Sequence, residues 1–325
     1  MSDIFRWHGG RIAAARQSYK EARLPWIDLS TGVNPVAWPG AAAIRPDWHS
    51  LPDPAALADL EQAAAAYFSV SADHICALPG SETGLRLLGH LIDAPACHLQ
   101  PSYRTHAQAF PNSLALQRPE VAPAGTALLL ANPNNPDGRL YTRTQMQQLL
   151  CDQEEQGGWL IVDEAFADCI PSASIASEVA DDRRLIIFRS FGKFFGLAGV
   201  RLGFLLGPAA VVAACRRLLG DWPLSAAAID FGRAAYRDQR WIDETIVSLA
   251  SQSARLDALL VRHGFSPQGD SPLFRLVETP DASALFDRLA HRAILTRPFE
   301  DYPRWLRFGL PGNKTDLARL DEALG

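Results

Sequence analysis

The sequence predicts an α/β protein with a large, mostly parallel sheet covered by helices and a smaller α+β domain. Short apolar runs alternate with helical stretches along the first two thirds of the chain, which is the pattern of buried parallel strands joined by helices. The alternation ends near residues 220–223, and 325 residues exceed a typical single domain. We therefore expect an amino-terminal segment (1–39) that packs with the small domain and the active site, a large domain (40–222) and a small domain (223–325).

The large domain opens with a predicted helix over 54–68. Asp53 can cap this helix, Pro54 suits its first turn, and apolar side chains recur at helical spacing. Six apolar runs that follow are predicted to be buried strands, at 75–78, 96–99, 127–131, 160–162, 185–188 and 203–206.

The small domain shows a different pattern. Ser225 can cap a long or broken helical region that reaches His263. Strands are predicted at 273–277, 293–296 and 305–308, and helices at 282–291 and 314–324. This mixture predicts an α+β fold for the carboxyl-terminal part.

The composition is ordinary for a globular enzyme, with 48% hydrophobic residues, 21% charged residues and a net charge of −5. Basic residues are scattered, so neither nucleic acid nor a membrane is expected as a partner. The first twenty residues lack the apolar core of a signal peptide, and the longest apolar run, 203–215, is too short to span a bilayer. The five cysteines form no C-x-x-C pair, and the histidines show no metal-ligand spacing. We therefore expect a cytoplasmic protein with reduced thiols and no metal.

The segment 190–204 carries the most informative motif. Lys193 lies among glycines and apolar residues with no acidic neighbour, which favours an uncharged, nucleophilic amine able to form a Schiff base. Ser190 and Arg201 flank it at spacings that let both meet one phosphate. Asp163, at the end of a predicted strand, can keep a pyridine nitrogen protonated. Together these residues predict a pyridoxal 5'-phosphate (PLP) site.

Three further motifs lie where predicted strands give way to loops, the usual ligand edge of an α/β sheet. Gly80, Ser81 and Glu82 open a predicted helix whose N–H groups could hold a phosphate, although this signal is weak by itself. Asn135, in the turn Asn-Pro-Asn-Asn-Pro-Asp-Gly, can donate to a phenolate oxygen or merely bond its own backbone. Tyr103 can lie against a flat cofactor or pack as a half-buried core residue.

The ordered motifs G-S-E, P-x-Y, N-P-N-N-P-x-G, D-E-A-F, S-F-G-K and R-x-G resemble those of the fold-type I PLP-dependent enzymes of the aspartate aminotransferase superfamily. The resemblance spans about residues 51–204 and implies that fold and that cofactor. It implies Lys193 as the Schiff-base lysine, Asp163 as the second catalytic residue, and Arg307 on the substrate α-carboxylate. The cofactor contacts that it implies are Gly80, Ser81, Glu82, Tyr103, Asn135, Asp163, Ser190, Lys193 and Arg201.

Within this superfamily the amino-terminal residues resemble the threonine-phosphate decarboxylases of the aerobic cobalamin pathway. His8-Gly9-Gly10 and the stretch 27–39 carry this resemblance, together with the residues around Lys193. It implies decarboxylation of L-threonine O-3-phosphate, with the substrate phosphate bound by residues of the terminal segments. A histidine so near a terminus is, alternatively, often merely solvated. The substrate contacts implied are His8, Gly9, Asn34, Arg297 and Arg307.

Two other functions stay open. The first is a histidinol-phosphate-type aminotransferase, which two departures weaken: Phe166 and Leu51 stand where such enzymes commonly have tyrosines. The second is a non-catalytic PLP-binding regulator, for which the sequence offers no appended DNA-binding segment. The superfamily resemblance also implies a homodimer in which each active site is built from both subunits.

Overall fold

The computed structural model describes residues 4–325, and these residues divide between two compact units. The terminal unit contains residues up to 36, residues 136–138 and residues 244–325, and the central unit contains 37–135 and 139–243. The central unit therefore extends past the expected boundary at 222. The extension includes a helix that begins at Ala226. Gly232 of this helix packs so closely against the central unit that an added Cβ would lie 2.7 Å from Leu60 Cδ1.

The elements are numbered in chain order. The helices are α1 (Ile4–Trp7), α2 (Ile12–Ser18), α3 (Pro54–Phe68), α4 (Ser81–Leu91), α5 (Arg143–Glu155), α6 (Phe191–Phe194), α7 (Ala209–Leu219), α8 (Ala226–Ala235), α9 (Gln239–Arg262), α10 (Ala282–His291) and α11 (Lys314–Leu324). The strands are β1 (Ile27–Asp28), β2 (Ile75–Leu78), β3 (Ala96–Leu99), β4 (Leu114–Leu116), β5 (Ala127–Ala131), β6 (Trp159–Asp163), β7 (Leu185–Ser190), β8 (Gly203–Leu206), β9 (Phe274–Glu278), β10 (Ile294–Leu295), β11 (Arg297–Pro298) and β12 (Trp305–Gly309).

The central unit is built on a seven-stranded sheet with the order β2-β8-β7-β6-β5-β3-β4. The five strands β4, β3, β5, β6 and β7, neighbours in that order, pair in parallel. Strand β8 is antiparallel to both of its neighbours, β7 and β2. The predicted α/β fold with a mostly parallel sheet is thus confirmed. Because β5, β6 and β7 run in the same direction, their carboxyl ends bring Ala131, Asp163 and Ser190 to one edge.

Helices on the sheet fix these strands. Apolar side chains of α4 and α7, such as Leu88 and Val212, join the strand residues Leu129 and Ile161 in one buried cluster. Every residue of β5 is buried, which is why its sequence is continuously apolar rather than alternating. The helix α3 begins as predicted, with the Asp53 carboxylate accepting from a backbone N–H of its first turn over 2.8 Å.

The terminal unit combines a three-stranded antiparallel sheet, β11-β12-β9, with a parallel pair, β1-β10. Helices α10 and α11 have the predicted bounds. The strand β10 lies within the predicted strand 293–296, whereas the two-residue strands β1 and β11 are too short to show a periodic pattern in the sequence. Gly309 at the end of β12 donates its N–H to Leu29 O over 2.7 Å, and its backbone approaches so closely that a Cβ would collide with the Thr31 carbonyl. Among residues 4–325, no helix has both the length and the apolar character required to cross a membrane.

Candidate active site

A buried carboxylate lies at the centre of the sheet edge. Asp163 ends β6, and its Oδ2 lies 3.1 Å from Nε2 of His106, while the N–H of Ala165 donates to its Oδ1 over 3.1 Å. The side chains of His106 and Asp163 are 0% and 8% exposed. Tyr103 packs edge-on against the His106 ring, with ring centroids 6.1 Å apart. A carboxylate held in this way can pair with a cationic ligand nitrogen.

The expected phosphate contacts come together at the start of α4. Gly80 precedes this helix with a φ of +88°, and no side chain caps its first turn, which leaves an anion-binding helix end. A Cβ at Gly80 would lie 2.7 Å from Arg201 Nη2, so the guanidinium lies beside this turn. Ser190 pairs with Gly203 across β7 and β8, and the Gly203 backbone in turn approaches the N–H of Ser81. The structure therefore brings Ser81, Ser190 and Arg201 into one neighbourhood.

Glu82 connects α4 with the turn that carries the expected stacking tyrosine. Thr105 Oγ1 donates to both Glu82 carboxylate oxygens over 2.9 Å, and Arg86 Nε donates to one of them over 2.8 Å. Burial, and then the neighbouring Glu82, raise the pKa of Tyr103 to about 12, so this phenol stays protonated. The Glu82 carboxylate thus accepts from protein donors, and a cofactor contact by Glu82 stays a prediction.

The asparagine-rich turn after β5 contains two asparagines that bond the backbone and a third, Asn135, that is the expected cofactor contact. Asn132 bonds the backbone of Tyr141 in both directions, over 3.0 and 2.9 Å, and Asn134 Nδ2 donates to Pro101 O over 2.8 Å. These two asparagines thus bond backbone groups outside their own turn and stabilise the loop. Asn135 is half-buried beside them. Its donation to a phenolate oxygen stays a prediction.

Lys193 lies in the single turn of α6, in which Phe191 and Phe194 are buried. Its Nζ is 5.9 Å from the centroid of the Phe166 ring, which offers no hydroxyl. A Cβ at Gly192 would lie 2.6 Å from Ala198 Cα, so the backbone before the lysine is tightly packed. The chain has only three lysines, and Lys193 is the one in the central unit.

The central unit therefore fits PLP. A buried carboxylate suits its pyridine nitrogen, an uncapped helix end with a guanidinium suits its phosphate, and an amine suits its aldehyde. Among residues 4–325, no group of three or more His, Cys, Asp or Glu side chains is placed to hold a metal ion.

In the terminal unit, two expected substrate residues, Gly9 and Arg307, meet at Ser30. Gly10 N–H donates to Ser30 Oγ over 2.8 Å, and this hydroxyl donates to Asp28 Oδ1 over 2.5 Å. The backbone of Gly9 approaches the Ser30 carbonyl so closely that a Cβ has no room. Arg307 Nη2 donates to the same carbonyl over 3.3 Å. The structure thus places Gly9 and Arg307 at one backbone segment.

Arg307 is a buried guanidinium. It is 6% exposed and lies over the Phe274 ring, 4.6 Å from its centroid. Burial, followed by repulsion from Arg297, lowers its pKa. A bound anion would offset both effects, which fits the expected grip on a carboxylate.

Arg297 contacts the protein backbone. Its Nη1 donates to Phe5 O and Pro298 O over 2.9 and 2.7 Å, and its Nη2 donates to Trp7 O over 2.8 Å. It therefore anchors the segment that immediately precedes the exposed His8. Asn34 is buried, and its Oδ1 accepts from Val36 N–H over 2.9 Å. Substrate contacts by His8, Asn34 and Arg297 stay predictions.

Sequence reasoning missed His106 as a site residue. It carries no metal-ligand spacing, and its partner Asp163 is far away in the chain. The available signal is its position three residues after Tyr103, because such spacing places two side chains on the same side of a helical turn.

Comparison with known proteins places the chain among PLP enzymes of this fold. The family model for aminotransferase class I and II matches residues 96–324. Threonine-phosphate decarboxylase from Pseudomonas aeruginosa is 39% identical over 98% of this chain and 96% of the relative, and the one from Sinorhizobium sp is 38% identical over 98% and 97%. Histidinol-phosphate aminotransferase 2 from Rhizobium meliloti is 30% identical over 87% of this chain and 86% of the relative.

Solved structures agree on the fold. Histidinol-phosphate aminotransferase from Sinorhizobium meliloti, in complex with pyridoxal-5'-phosphate, superposes with a TM-score of 0.83 at 21% identity, covering 96% of this chain and 92% of that one. L-threonine-O-3-phosphate decarboxylase from Porphyromonas gingivalis gives 0.75 at 18% identity, covering 91% and 97%. The predicted fold-type I architecture and the resemblance to the threonine-phosphate decarboxylases are confirmed. The chain belongs to the aminotransferase class I and II family.

Proposed function

We propose that this protein is a PLP-dependent lyase that decarboxylates L-threonine O-3-phosphate to (R)-1-amino-2-propanol O-2-phosphate for the cobalamin nucleotide loop. The observation that carries the proposal is the 38–39% identity to two threonine-phosphate decarboxylases over 98% of the chain. The presence of Asp163, Arg201 and Lys193 in one unit supports it, since these are the groups that PLP chemistry requires.

PLP is held by residues of the central unit. Gly80, Ser81, Ser190 and Arg201 bind its phosphate, and Asp163, supported by His106, pairs with its pyridine nitrogen. The remaining contacts would be made by Asn135, as donor to the phenolate oxygen, by Tyr103, stacked on the ring, and by Lys193, as the amine for the aldehyde. When bound, PLP supplies an electron sink for the bond that breaks at the substrate Cα.

Substrate orientation decides the reaction. Arg307 binds the α-carboxylate, and His8 and Asn34 bind the substrate phosphate. Arg297 holds the segment carrying His8 through the carbonyls of Phe5 and Trp7. Fixing both ends of a small substrate selects the Cα bond that breaks, because orientation accounts for much of an enzyme's rate. An orientation that exposes the Cα–carboxylate bond would release CO2, whereas one that exposes Cα–H would let Lys193 Nζ, once displaced by the substrate amine, move the proton toward transamination.

One experiment separates the proposed decarboxylase from the alternative aminotransferase. Purified protein is incubated with threonine phosphate, and separately with histidinol phosphate and 2-oxoglutarate, while CO2 and glutamate are measured. We expect CO2 from the first mixture and little glutamate from the second. Glutamate without CO2 would replace the decarboxylase by an aminotransferase, and PLP binding without either product would favour the non-catalytic protein.

We further propose a cytoplasmic homodimer. In the central unit the large apolar side chains of Trp48, Leu51 and Trp222 are 72%, 66% and 53% exposed. Trp222 lines an open cavity of about 630 Å³ together with Pro52 and Pro54. Exposed apolar groups of this size suit a subunit interface. Light scattering that gives the mass of a fully active monomer would contradict the dimer.

A further inference from the structure

Three charged side chains form a buried cluster beside the candidate cofactor residues of the central unit. Arg189 Nη1 donates to Glu164 Oε2 over 2.6 Å, and Arg189 Nη2 donates to Asp168 Oδ1. Arg189 is 4% exposed, and the two acidic side chains are each 1% exposed. We call these residues, Arg189, Glu164 and Asp168, the charged cluster. None of them has a role in the cofactor contacts described above.

The charged cluster joins the ends of two neighbouring strands. Glu164 follows Asp163 at the end of β6, and Arg189 precedes Ser190 at the end of β7. The N–H of Glu164 also donates to Phe188 O over 2.9 Å, which continues the pairing of these strands. The Arg189 guanidinium thus links the end of β7 to Glu164 at the end of β6. Arg189 precedes Ser190, an expected phosphate contact, and Glu164 follows Asp163, the expected pyridine contact.

Further donors hold the cluster in one geometry. Ser174 Oγ donates to Glu164 Oε2 over 2.6 Å, and the N–H of Ile175 donates to Glu164 Oε1 over 3.0 Å. The guanidinium carbon of Arg189 lies 4.5 Å from the centroid of the Phe68 ring. Both Nη groups of Arg189 therefore have carboxylate partners, and a planar fork between two acids permits little rotation.

Stability alone does not account for such a cluster. Desolvation of buried charges offsets much of their attraction, and well-packed apolar residues often stabilise a protein as well or better. What the ionic arrangement adds is a fixed direction, because each hydrogen bond defines where both partners lie. Here the hydrogen bonds of the cluster fix the positions of the two strand ends that carry Asp163 and Ser190.

We propose that Arg189 is a positioning residue for the cofactor: through Glu164 and Asp168 it sets the spacing of Asp163 and Ser190, so that one PLP molecule meets both. This inference rests on the proposed PLP site. Arg189 acts through its neighbours and makes no contact with substrate or cofactor in the proposal.

The charges of the cluster support this role. Burial lowers the pKa of Arg189, but Asp168 and Glu164 outweigh that effect and raise it overall, so Arg189 stays cationic. Burial raises the pKa of Asp168 in spite of the opposing effect of Arg189. Removal of the guanidinium would leave two carboxyl groups buried without their cation, and they would take up protons or move.

The test measures PLP binding to the cofactor-free protein by fluorescence titration, together with its unfolding temperature without PLP. Arg189→Met should weaken PLP binding by about tenfold or more, because displacements of about 1 Å in a binding site have effects of that size. Arg189→Lys, which keeps the charge but loses the fork, should recover part of the affinity. Ser174→Ala removes one donor to Glu164 and should give a smaller loss in a folded protein.

The matched control is Arg183→Met. Arg183 Nε donates to Glu154 Oε1 over 2.9 Å, in a half-buried ion pair just before the start of β7. This variant loses an Arg–Glu pair away from the cofactor residues, so its PLP affinity should match that of the wild type even if its unfolding temperature falls.

A purely structural role for Arg189 gives a different pattern. The Arg189 variants would then unfold at lower temperature, while their folded fraction would bind PLP with wild-type affinity, and that result would overturn the proposal. If Arg189→Met does not fold, Arg189→Lys and Ser174→Ala decide in the same way. Wild-type protein that fails to bind PLP would instead refute the proposed function.

Discussion

His106 and Asp163 are hydrogen-bonded over 3.1 Å in a region from which solvent is almost excluded. The histidine comes from the turn after β3 and the aspartate from the end of β6, so the fold brings together residues that are 57 positions apart. A hydrogen bond to a charged group in such surroundings contributes more than one between neutral groups. The orientation of the Asp163 carboxylate therefore depends on His106.

We predict that His106→Ala weakens PLP binding by about 10- to 100-fold, since a hydrogen bond to a charged group contributes about 1.5–3 kcal/mol. Fluorescence titration of the cofactor-free protein measures the effect. His90→Ala, which removes an exposed histidine from α4, is the control and should bind PLP normally. Equal affinity of the His106→Ala variant and the wild type would show that Asp163 is oriented without this histidine.

The sequence predicts most strands and the motifs at their carboxyl ends, but it does not predict the long-range hydrogen bonds of the side chains there. Strands β2, β3, β5 and β8 lie at their predicted bounds because each is a short run that ends at a turn and is apolar apart from His98 in β3. The D-E-A-F and S-F-G-K motifs point to Asp163 and Lys193 for the same reason, as each follows directly on such a strand. These features are local, and local patterns are visible in one sequence.

The missing parts depend on long-range packing. His106 gains its partner only when β3 and β6 lie in one sheet, and Arg189 gains its acids only when β6 and β7 pair. Arg297 is predicted from the sequence to contact the substrate, which stays a prediction, but its hydrogen bonds to carbonyls of α1 at the other end of the chain could not be foreseen. A residue type states what a side chain can bind, and the tertiary fold decides which of its partners is near.

A second prediction concerns Lys193, the lysine proposed to carry the cofactor. Lys193→Ala should lose the near-ultraviolet to visible absorption of lysine-linked PLP, because no other amine lies at the site. Borohydride reduction of the wild type followed by peptide mapping should place the label on Lys193. The other two lysines, Lys20 and Lys314, are exposed in the terminal unit, so Lys314→Ala is the control. A label on either of them in the wild type would refute the assignment.

A third prediction uses the crowded turn at Gly80. Gly80→Ala should weaken PLP binding by about tenfold or more, because its Cβ would lie 2.7 Å from Arg201 Nη2 and displace that guanidinium. Pyridoxal lacks the phosphate, so its binding should weaken less than that of PLP. Measurement of both ligands by titration separates loss of a phosphate contact from general destabilisation.

Gly125→Ala serves as the control for this variant. Gly125 also has a positive φ, +72°, but a Cβ there would meet nothing within 4 Å. It therefore introduces backbone strain without a collision, and we expect some loss of stability with normal PLP affinity. Equal loss of PLP and pyridoxal binding in Gly80→Ala would show that Arg201 is not the phosphate ligand.

The last prediction concerns the choice of reaction and depends on His8. His8 is exposed, and the following glycines are fixed to Ser30, whose carbonyl also accepts from Arg307. An imidazole placed in this way can donate a charge-assisted hydrogen bond to a phosphate dianion. His8→Ala should therefore lower kcat/KM for threonine phosphate by roughly 10- to 100-fold, equivalent to about 1.5–3 kcal/mol. PLP affinity should stay nearly unchanged, because the proposed cofactor contacts all belong to the central unit. Steady-state CO2 release with His49→Ala as the exposed-histidine control measures the effect, and a wild-type rate in His8→Ala would refute the phosphate contact.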